Sequence, residues 1–284
     1  MGGRRLHLLR GGAGTPTVVF EAGGGLLAYS WMLVMEGVNA FASTAAWDRP
    51  GYGWSDRPSS PLSLDSVVGD LHELLRQAAV PPPYVMVGHS IGGFYVRHFA
   101  ARHPDIVCGM VLVDPSHELM LEGAPRATRI IAPLAIGLQS RAPGLVARMS
   151  RKKLRKAAVE AFPALDAEDL KALVELHLRP ETLRLQMAEV RDVLAESQSL
   201  LGAPGSLGSM PLVVLGAGKL PGGEAFRRHR EGVQLRGLLA LSSNSRLEIV
   251  SESGHGIPLE SPSAVVEAVR DVVDQAREGL PKPH

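Results

Sequence analysis

Cysteine is nearly absent from this chain: Cys108 is the only one among 284 residues. An intramolecular disulfide is therefore excluded, and a reducing compartment is expected. Cys108 lies between Val107 and Gly109 at the entry to an apolar run, where it reads as a buried structural thiol rather than a nucleophile. An excess of charge of either sign is also missing, with 30 Lys and Arg against 29 Asp and Glu. No overall field would recruit nucleic acid or an acidic partner, so the expected ligand is a neutral or modestly charged small molecule. Long hydrophobic runs are lacking too. The longest apolar stretch, 130–138 (IIAPLAIGL), is too short to span a bilayer, and no integral membrane segment is expected. Residues 1–14 carry basic side chains but no apolar segment, so no signal peptide is read there and the cytoplasm is the expected location.

What is present is an alternation of short β-rich runs with helical patterns. The runs fall at 17–21, 43–47, 84–88, 109–113, 211–215 and 246–250. Several are continuous, apolar and rich in valine, as strands covered on both faces of a parallel sheet must be. Between them, Leu64, Val67, Val68, Leu71, Leu74, Leu75 and Ala78 share one face of a helix opened by Ser63 and closed by Pro81. Ser261 and Pro262 open a last helix striped by Val265, Val266, Val269, Val272, Val273 and Ala276. Strand and helix alternating in this way predict an α/β sheet with helices on both faces.

The alternation breaks from about 116 to 210, where only helical patterning is found. Asp166 is placed to cap a helix bearing Leu170, Leu173, Val174 and Leu178, and Leu183, Met187, Val190 and Leu194 mark another. The basic cluster at 151–156 is read as a solvated helix face rather than a membrane-binding surface. Ile130, Ile131, Leu134, Ile136, Leu138 and Met149 give this segment an apolar character, which suits either a largely apolar substrate group or ordinary packing.

Chemistry enters at Gly88-His89-Ser90-Ile91-Gly92, where a strand runs directly into a helix beginning with Ile91, Phe94, Tyr95 and Phe99. This is G-x-S-x-G in the strand–turn–helix setting that gives the pattern meaning. A serine held in so tight a turn needs small neighbours two residues away, and its Oγ is lifted clear of the sheet. Serine is a poor nucleophile without a base. Of ten histidines, His255 is the best placed, in the glycine-flanked loop Ser253-Gly254-His255-Gly256 after the last apolar run. His89 adjoins the serine but is expected to point elsewhere and pack beside the turn. His98, His103, His177 and His229 are read as surface or core residues.

The motif Asp48-Arg49-Pro50-Gly51-Tyr52-Gly53-Trp54-Ser55, the segment 82–93, His103-Pro104, and Val111-Leu112-Val113-Asp114 follow one another in an order that resembles the α/β-hydrolase superfamily over nearly the whole chain. The resemblance implies an α/β-hydrolase fold, a mostly parallel sheet flanked by helices, with a helical cap inserted after the strand ending near Asp114. Residues 1–115 and 211–284 would form the core and 116–210 the cap. It also implies that Ser90 and His255 are nucleophile and base. Many members place the acid after the strand that follows the cap, but here the loop after 211–215 offers no carboxylate before Glu224. Some use the end of the strand before the cap, where Asp114 stands, so Asp114 is the first choice, with Glu224 and Glu118 as alternatives. Asp114 could also simply tie down its turn.

Glu21-Ala22-Gly23-Gly24-Gly25-Leu26 resembles the family's oxyanion loop, with Ala22 in place of the usual histidine, which makes the backbone N–H groups of Gly24 and Ile91 the expected oxyanion donors. A phosphate cradle is the poorer reading of these glycines, since no lysine follows them and no complete G-x-G-x-x-G is present. Trp31 and Met32 would line the substrate pocket or belong to the core. The expected function is hydrolysis of a carboxylic ester through an acyl-enzyme on Ser90, with no metal and no organic cofactor. Serine at the turn argues against the carboxylate nucleophile of epoxide hydrolases and haloalkane dehalogenases. Acyltransferase, lactonase, thioesterase or C–C bond hydrolase chemistry, or a receptor-like member with little turnover, remain open on the same residues. The family usually has a further strand before the segment 4–9. Its absence would leave a sheet edge open, and a homodimer is expected from that.

Overall fold

The structure is a computed structural model that describes residues 3–119, 143–161, 166–197, 207–219 and 224–279. The apolar run 130–138 lies outside the described residues. Seven strands form one sheet: β1 (Leu8–Gly11), β2 (Thr17–Glu21), β3 (Ser43–Trp47), β4 (Tyr84–His89), β5 (Val107–Val113), β6 (Leu212–Ala217) and β7 (Ser245–Val250). Their spatial order is β1-β3-β2-β4-β5-β6-β7. β1 runs antiparallel to β3, and every other pairing is parallel. The six β-rich runs correspond to β2–β7. β1 adds an edge strand that overlaps the end of the segment 4–9.

The valine-rich strands have no polar face because alternate residues enter two separate cores. On one side Val19, Trp47, Met86, Met110, Leu112 and Val214 pack under α2 (Leu64–Gln77) and α3 (Gly92–Arg102). On the other, Val18, Phe20, Val87, Val111, Val113 and Val213 pack under α1 (Met32–Val38) and the long C-terminal helix Pro262–Gly279. Trp31 and Val34 are fully buried here, so Trp31 belongs to the core, while Met32 is 36% exposed. Ser63 caps α2 through a reciprocal pair of bonds with Ser66.

Between β5 and β6 the described residues form helices: α4 (Pro143–Ala161), α5 (Ala167–His177) and α6 (Pro180–Ser197). Asp166 caps α5, accepting from the backbone N–H groups of Glu168 and Asp169. After β6 come α7 (Glu224–His229) and a wider π-helical stretch, Arg230–Leu235. After β7 a short helix α8 (Ile257–Glu260) precedes α9, the helix Pro262–Gly279 already met. β2 leads to β3 on one side, and the chain then crosses to β4 on the other. The loops leaving the C-terminal ends of β2 and β4 therefore flank the switch point of the sheet, where open α/β sheets bind ligands.

Candidate active site

Ser90 stands between the last residue of β4 and the first of α3, with φ of 54°, in the left-handed region that a side chain disfavours. Its backbone is held on several sides. The N–H donates to the Val113 carbonyl at 3.1 Å, and its own carbonyl accepts from Gly93 at 3.0 Å and Ser116 at 2.9 Å. The flanking glycines leave no alternative. A Cβ at Gly88 would meet the Gly92 carbonyl oxygen at 2.6 Å, and one at Gly92 would meet the Glu21 carbonyl oxygen at 2.5 Å. Strand, turn and helix thus close on one another only because both positions lack side chains.

His255 reaches Ser90 from the loop after β7. Its Nε2 lies 3.1 Å from Ser90 Oγ, and its Nδ1 lies 2.5 Å from Asp114 Oδ2. Because a carboxylate only accepts, Nδ1 carries the proton and Nε2 is left to accept from the serine hydroxyl. Asp114 directly follows β5, at φ 38° and fully buried. Its other oxygen, Oδ1, accepts from the backbone N–H of Ala217 at 3.1 Å and from Arg230 Nη2 at 2.6 Å. Burial would raise this carboxyl, but the hydrogen bond from His255 and the Arg230 guanidinium outweigh it and hold Asp114 below the usual carboxylate range. Of the three acids considered, Asp114 is the one brought to His255. Glu224 is exposed and bonded to Arg228 at 2.8 Å, and Glu118 is bonded to Arg97 at 2.7 Å.

Sequence reasoning missed several groups that hold these residues. Glu260 of α8 accepts from the Gly254 N–H at 2.6 Å and clamps the histidine loop. Arg230 approaches from the π-helical stretch, 116 residues from the acid it binds, and no local pattern announces it. His89 does point away from Ser90, but it is more than packing. Its Nε2–H donates to the His255 carbonyl at 2.8 Å, and the two rings lie 4.8 Å apart. Burial, reinforced by His255, lowers its imidazole to about 4, so it stays neutral. His89 Nδ1 is buried with no hydrogen-bond partner among the described residues.

The glycine loop after β2 lies against the turn. An ideal Cβ at Gly24 would be 3.3 Å from Ile91 Cδ1 and 3.3 Å from Val190 Cγ2, so Gly24 lies against the side chains of Ile91 and of Val190 in α6. Beside this loop is an apolar cavity of about 110 Å³, with Leu26 and Leu27 on one side and Leu154, Leu173 and Val174 of the inserted helices on the other. Leu259 closes the end nearest the histidine loop, and among the described residues neither Ser90 nor His255 forms its wall. His177 also lines it, and burial lowers that imidazole. Cys108 is half-buried, its thiol pushed up to about 11 by burial, which leaves it unreactive at neutral pH.

Among the described residues no group of three or more His, Cys, Asp or Glu is placed to hold a metal ion, and no helix is long and apolar enough to cross a membrane. A serine hydroxyl bonded to an imidazole that is bonded to a buried carboxylate is an arrangement for moving a proton off an attacking oxygen.

Known proteins share this framework. The chain is 27% identical over 296 residues to an esterase of Mycobacterium tuberculosis, covering 95% of this chain and 86% of the other. Over a shorter stretch of 110 residues it is 36% identical to an uncharacterized vacuolar membrane protein of Saccharomyces cerevisiae, and the match spans only 17% of that protein's length. Among solved structures, the epoxide hydrolase CorEH without ligand superposes with a TM-score of 0.74 at 21% identity, covering 96% of both chains. The model of the alpha/beta hydrolase family matches residues 18–268, which takes in every strand from β2 to β7 together with Ser90, Asp114 and His255. By that match and by its sheet, this chain belongs to the alpha/beta hydrolase family.

Proposed function

We propose that the protein is a serine hydrolase that cleaves a carboxylic ester of a small, largely apolar substrate. The observation behind this reading is the unbroken relay from Ser90 Oγ through His255 to buried Asp114. In this mechanism Ser90 Oγ attacks the acyl carbon while His255 Nε2 takes its proton. Asp114 stabilises the imidazolium, and the N–H groups of Gly24 and Ile91 receive the negative charge on the carbonyl oxygen. His255 returns the proton to the leaving alkoxide. Water then attacks the acyl-enzyme by the same route and frees Ser90. The reactive groups all come from this chain, so no cofactor is invoked. We take residues 116–210 as a cap, of which the described helices α4 and α5 bring Leu154, Leu173 and Val174 to the apolar cavity. The likeness in fold to an epoxide hydrolase does not bring that chemistry with it, because the turn presents a serine rather than a carboxylate. The lone Cys108 supports a reducing location, which we take to be the cytoplasm, and the open edge of β1 supports a homodimer.

Two measurements test this reading. A fluorophosphonate should label the wild-type chain and leave Ser90→Ala unlabelled, and Asp114→Asn should lower kcat by about 10³–10⁴-fold against an ester. Equal labelling of wild type and Ser90→Ala would remove Ser90 as nucleophile.

A further inference from the structure

Directly beneath the glycine loop lies a buried ionic cluster that the relay does not use. Arg49 is fully buried, and its two terminal nitrogens are spent on backbone carbonyls and carboxylates. Nη1 donates to the Ala22 carbonyl at 2.7 Å and to Glu21 Oε1 at 2.5 Å, and Nη2 donates to the Gly23 carbonyl at 2.8 Å. Glu189, also buried, comes down from α6. Its Oε1 lies 2.7 Å from Arg49 Nε as an ion pair, and its Oε2 accepts from Arg49 Nη2 at 3.4 Å. The same carboxylate accepts from Tyr95 of α3 at 2.8 Å and from Tyr52 of the loop after β3 at 2.6 Å. Trp47 Nε1 completes the set by donating to Glu21 at 2.7 Å. Burial would lower the guanidinium, but Glu189 and Glu21 hold it charged, well above its ordinary value.

The geometry of a peptide bond gives this cluster a use. In a trans peptide the C=O of one residue and the N–H of the next point in opposite directions within one plane. Fixing the Gly23 carbonyl on Arg49 therefore fixes the direction of the Gly24 N–H, the donor assigned to the oxyanion. A cation on the carbonyl end also polarises that peptide and strengthens its N–H as a donor. Gln186 of the same helix α6 donates to the Gly24 carbonyl at 3.1 Å and holds the next peptide plane. Three consecutive carbonyls of the loop are thus set by Arg49 and α6. Tyr95 ties Glu189 to α3, the helix whose N-cap residue, Ile91, is the other assigned donor. Stability alone is a weak reason for such a cluster, since buried ion pairs are often replaceable by apolar side chains without loss.

We propose that Glu189, acting through Arg49, Tyr52 and Tyr95, is a positioning residue that locks the oxyanion loop to the inserted helix α6. On this account α6 is part of the frame of the oxyanion hole, and moving it away would disarm the site as well as open it. The proposal rests on the serine-hydrolase reading above. Its test compares kcat and KM for a p-nitrophenyl ester with the affinity of a trifluoromethyl ketone. Ser90 Oγ adds to the ketone carbon of this probe, the π-electron pair moves onto oxygen, and His255 Nε2 takes the hydroxyl proton, which leaves an oxyanion in the hole.

Glu189→Gln keeps the shape of the side chain and removes its charge. It should lower kcat by about tenfold to a hundredfold with KM within about threefold, and weaken ketone binding in step with kcat/KM. Should that variant fold poorly, Tyr95→Phe and Tyr52→Phe each remove one hydrogen bond to Glu189 and should show the same pattern at a few-fold scale. Leu178→Ala, which empties part of the small apolar cluster between the inserted helices without altering α6 itself, should lower Tm with kcat unchanged. Folded Glu189 and tyrosine variants that bind the ketone as the wild type does would overturn the proposal alone. A wild-type chain that neither binds the ketone nor turns over any ester would overturn the serine-hydrolase reading, and this proposal with it.

Discussion

Burial takes the imidazole of His89 down to about 4, while the same side chain in an unfolded chain titrates near 6.5. A group whose pKa falls on folding binds fewer protons in the native state, so its contribution to stability is whole above about pH 6.5 and fades as the pH drops toward 4. Between pH 7 and pH 5 that contribution should fall by about 2 kcal/mol. Urea unfolding at the two pH values, compared between wild type and His89→Gln, isolates this share. Equal pH slopes in the two proteins would show that His89 is not the proton acceptor. Asp114 works in the same sense at lower pH, because its carboxyl is held below the usual range and its stabilising effect is lost only when strong acid protonates it. At this scale the sequence was legible where a turn imposes its own chemistry. Ser90 could be picked out because two glycines and a strand–helix junction surround it. Asp114 could not be set apart locally, since what distinguishes it from Glu224 and Glu118 is its contact with a histidine 141 residues further on. Glu189 was invisible for a related reason. A carboxylate among the leucines and valines of an amphipathic helix looks like a solvated position until its three partners are seen.

Elements place these residues by how closely they approach. Helix α3 meets the end of β2 at Gly92, where an added methyl group would lie 2.5 Å from the Glu21 carbonyl. Gly92→Ala must therefore push the helix off the sheet and shift both Ile91 and the glycine loop. It should reduce kcat by about 10² or more and lower Tm, with ester turnover and a thermal melt as the readouts. A variant with unchanged turnover would mean that the loop and the turn can separate without cost. The elements that composition and periodicity marked were β2–β7, α2, α5 and α9, each signalled by a β-rich run, a cap or a striped face, with strand ends shifted by up to two residues. β1 escaped because its four residues, Leu8, Leu9, Arg10 and Gly11, are short and partly exposed and run into further glycine. The π-helical stretch at Arg230–Leu235 has no period of its own to read. It is nevertheless what brings Arg230 to Asp114, in keeping with the way widened turns gather at functional sites.

At the scale of the molecule, the sheet formed by the described residues ends in two strands with a single neighbour each, β1 and β7. Edges of this kind pair with other chains unless something blunts them. β7 carries Arg246 and Glu248 along its length, bonded to each other at 2.7 Å, and that charge discourages a partner. β1 offers only Arg10, whose guanidinium is turned back onto the Ala78 carbonyl at 2.9 Å. Light scattering on the intact chain should therefore give twice the 30.3 kDa of one copy, and a monomer mass at micromolar concentration would remove the dimer.

The placement of His255 after the last strand has a consequence for how the molecule comes into being. Ser90, Asp114, Arg49 and both proposed oxyanion donors are all made before α6, and Glu189 follows with it. His255 comes after all of them, on a loop that follows β7 and is held by Glu260 of α8. Since chains emerge from the ribosome amino end first, a growing copy that has already made Ser90 and Asp114 still lacks the proposed base until β7 has been made. The relay proposed here is thus completed across the whole sheet, not at the turn that carries the serine.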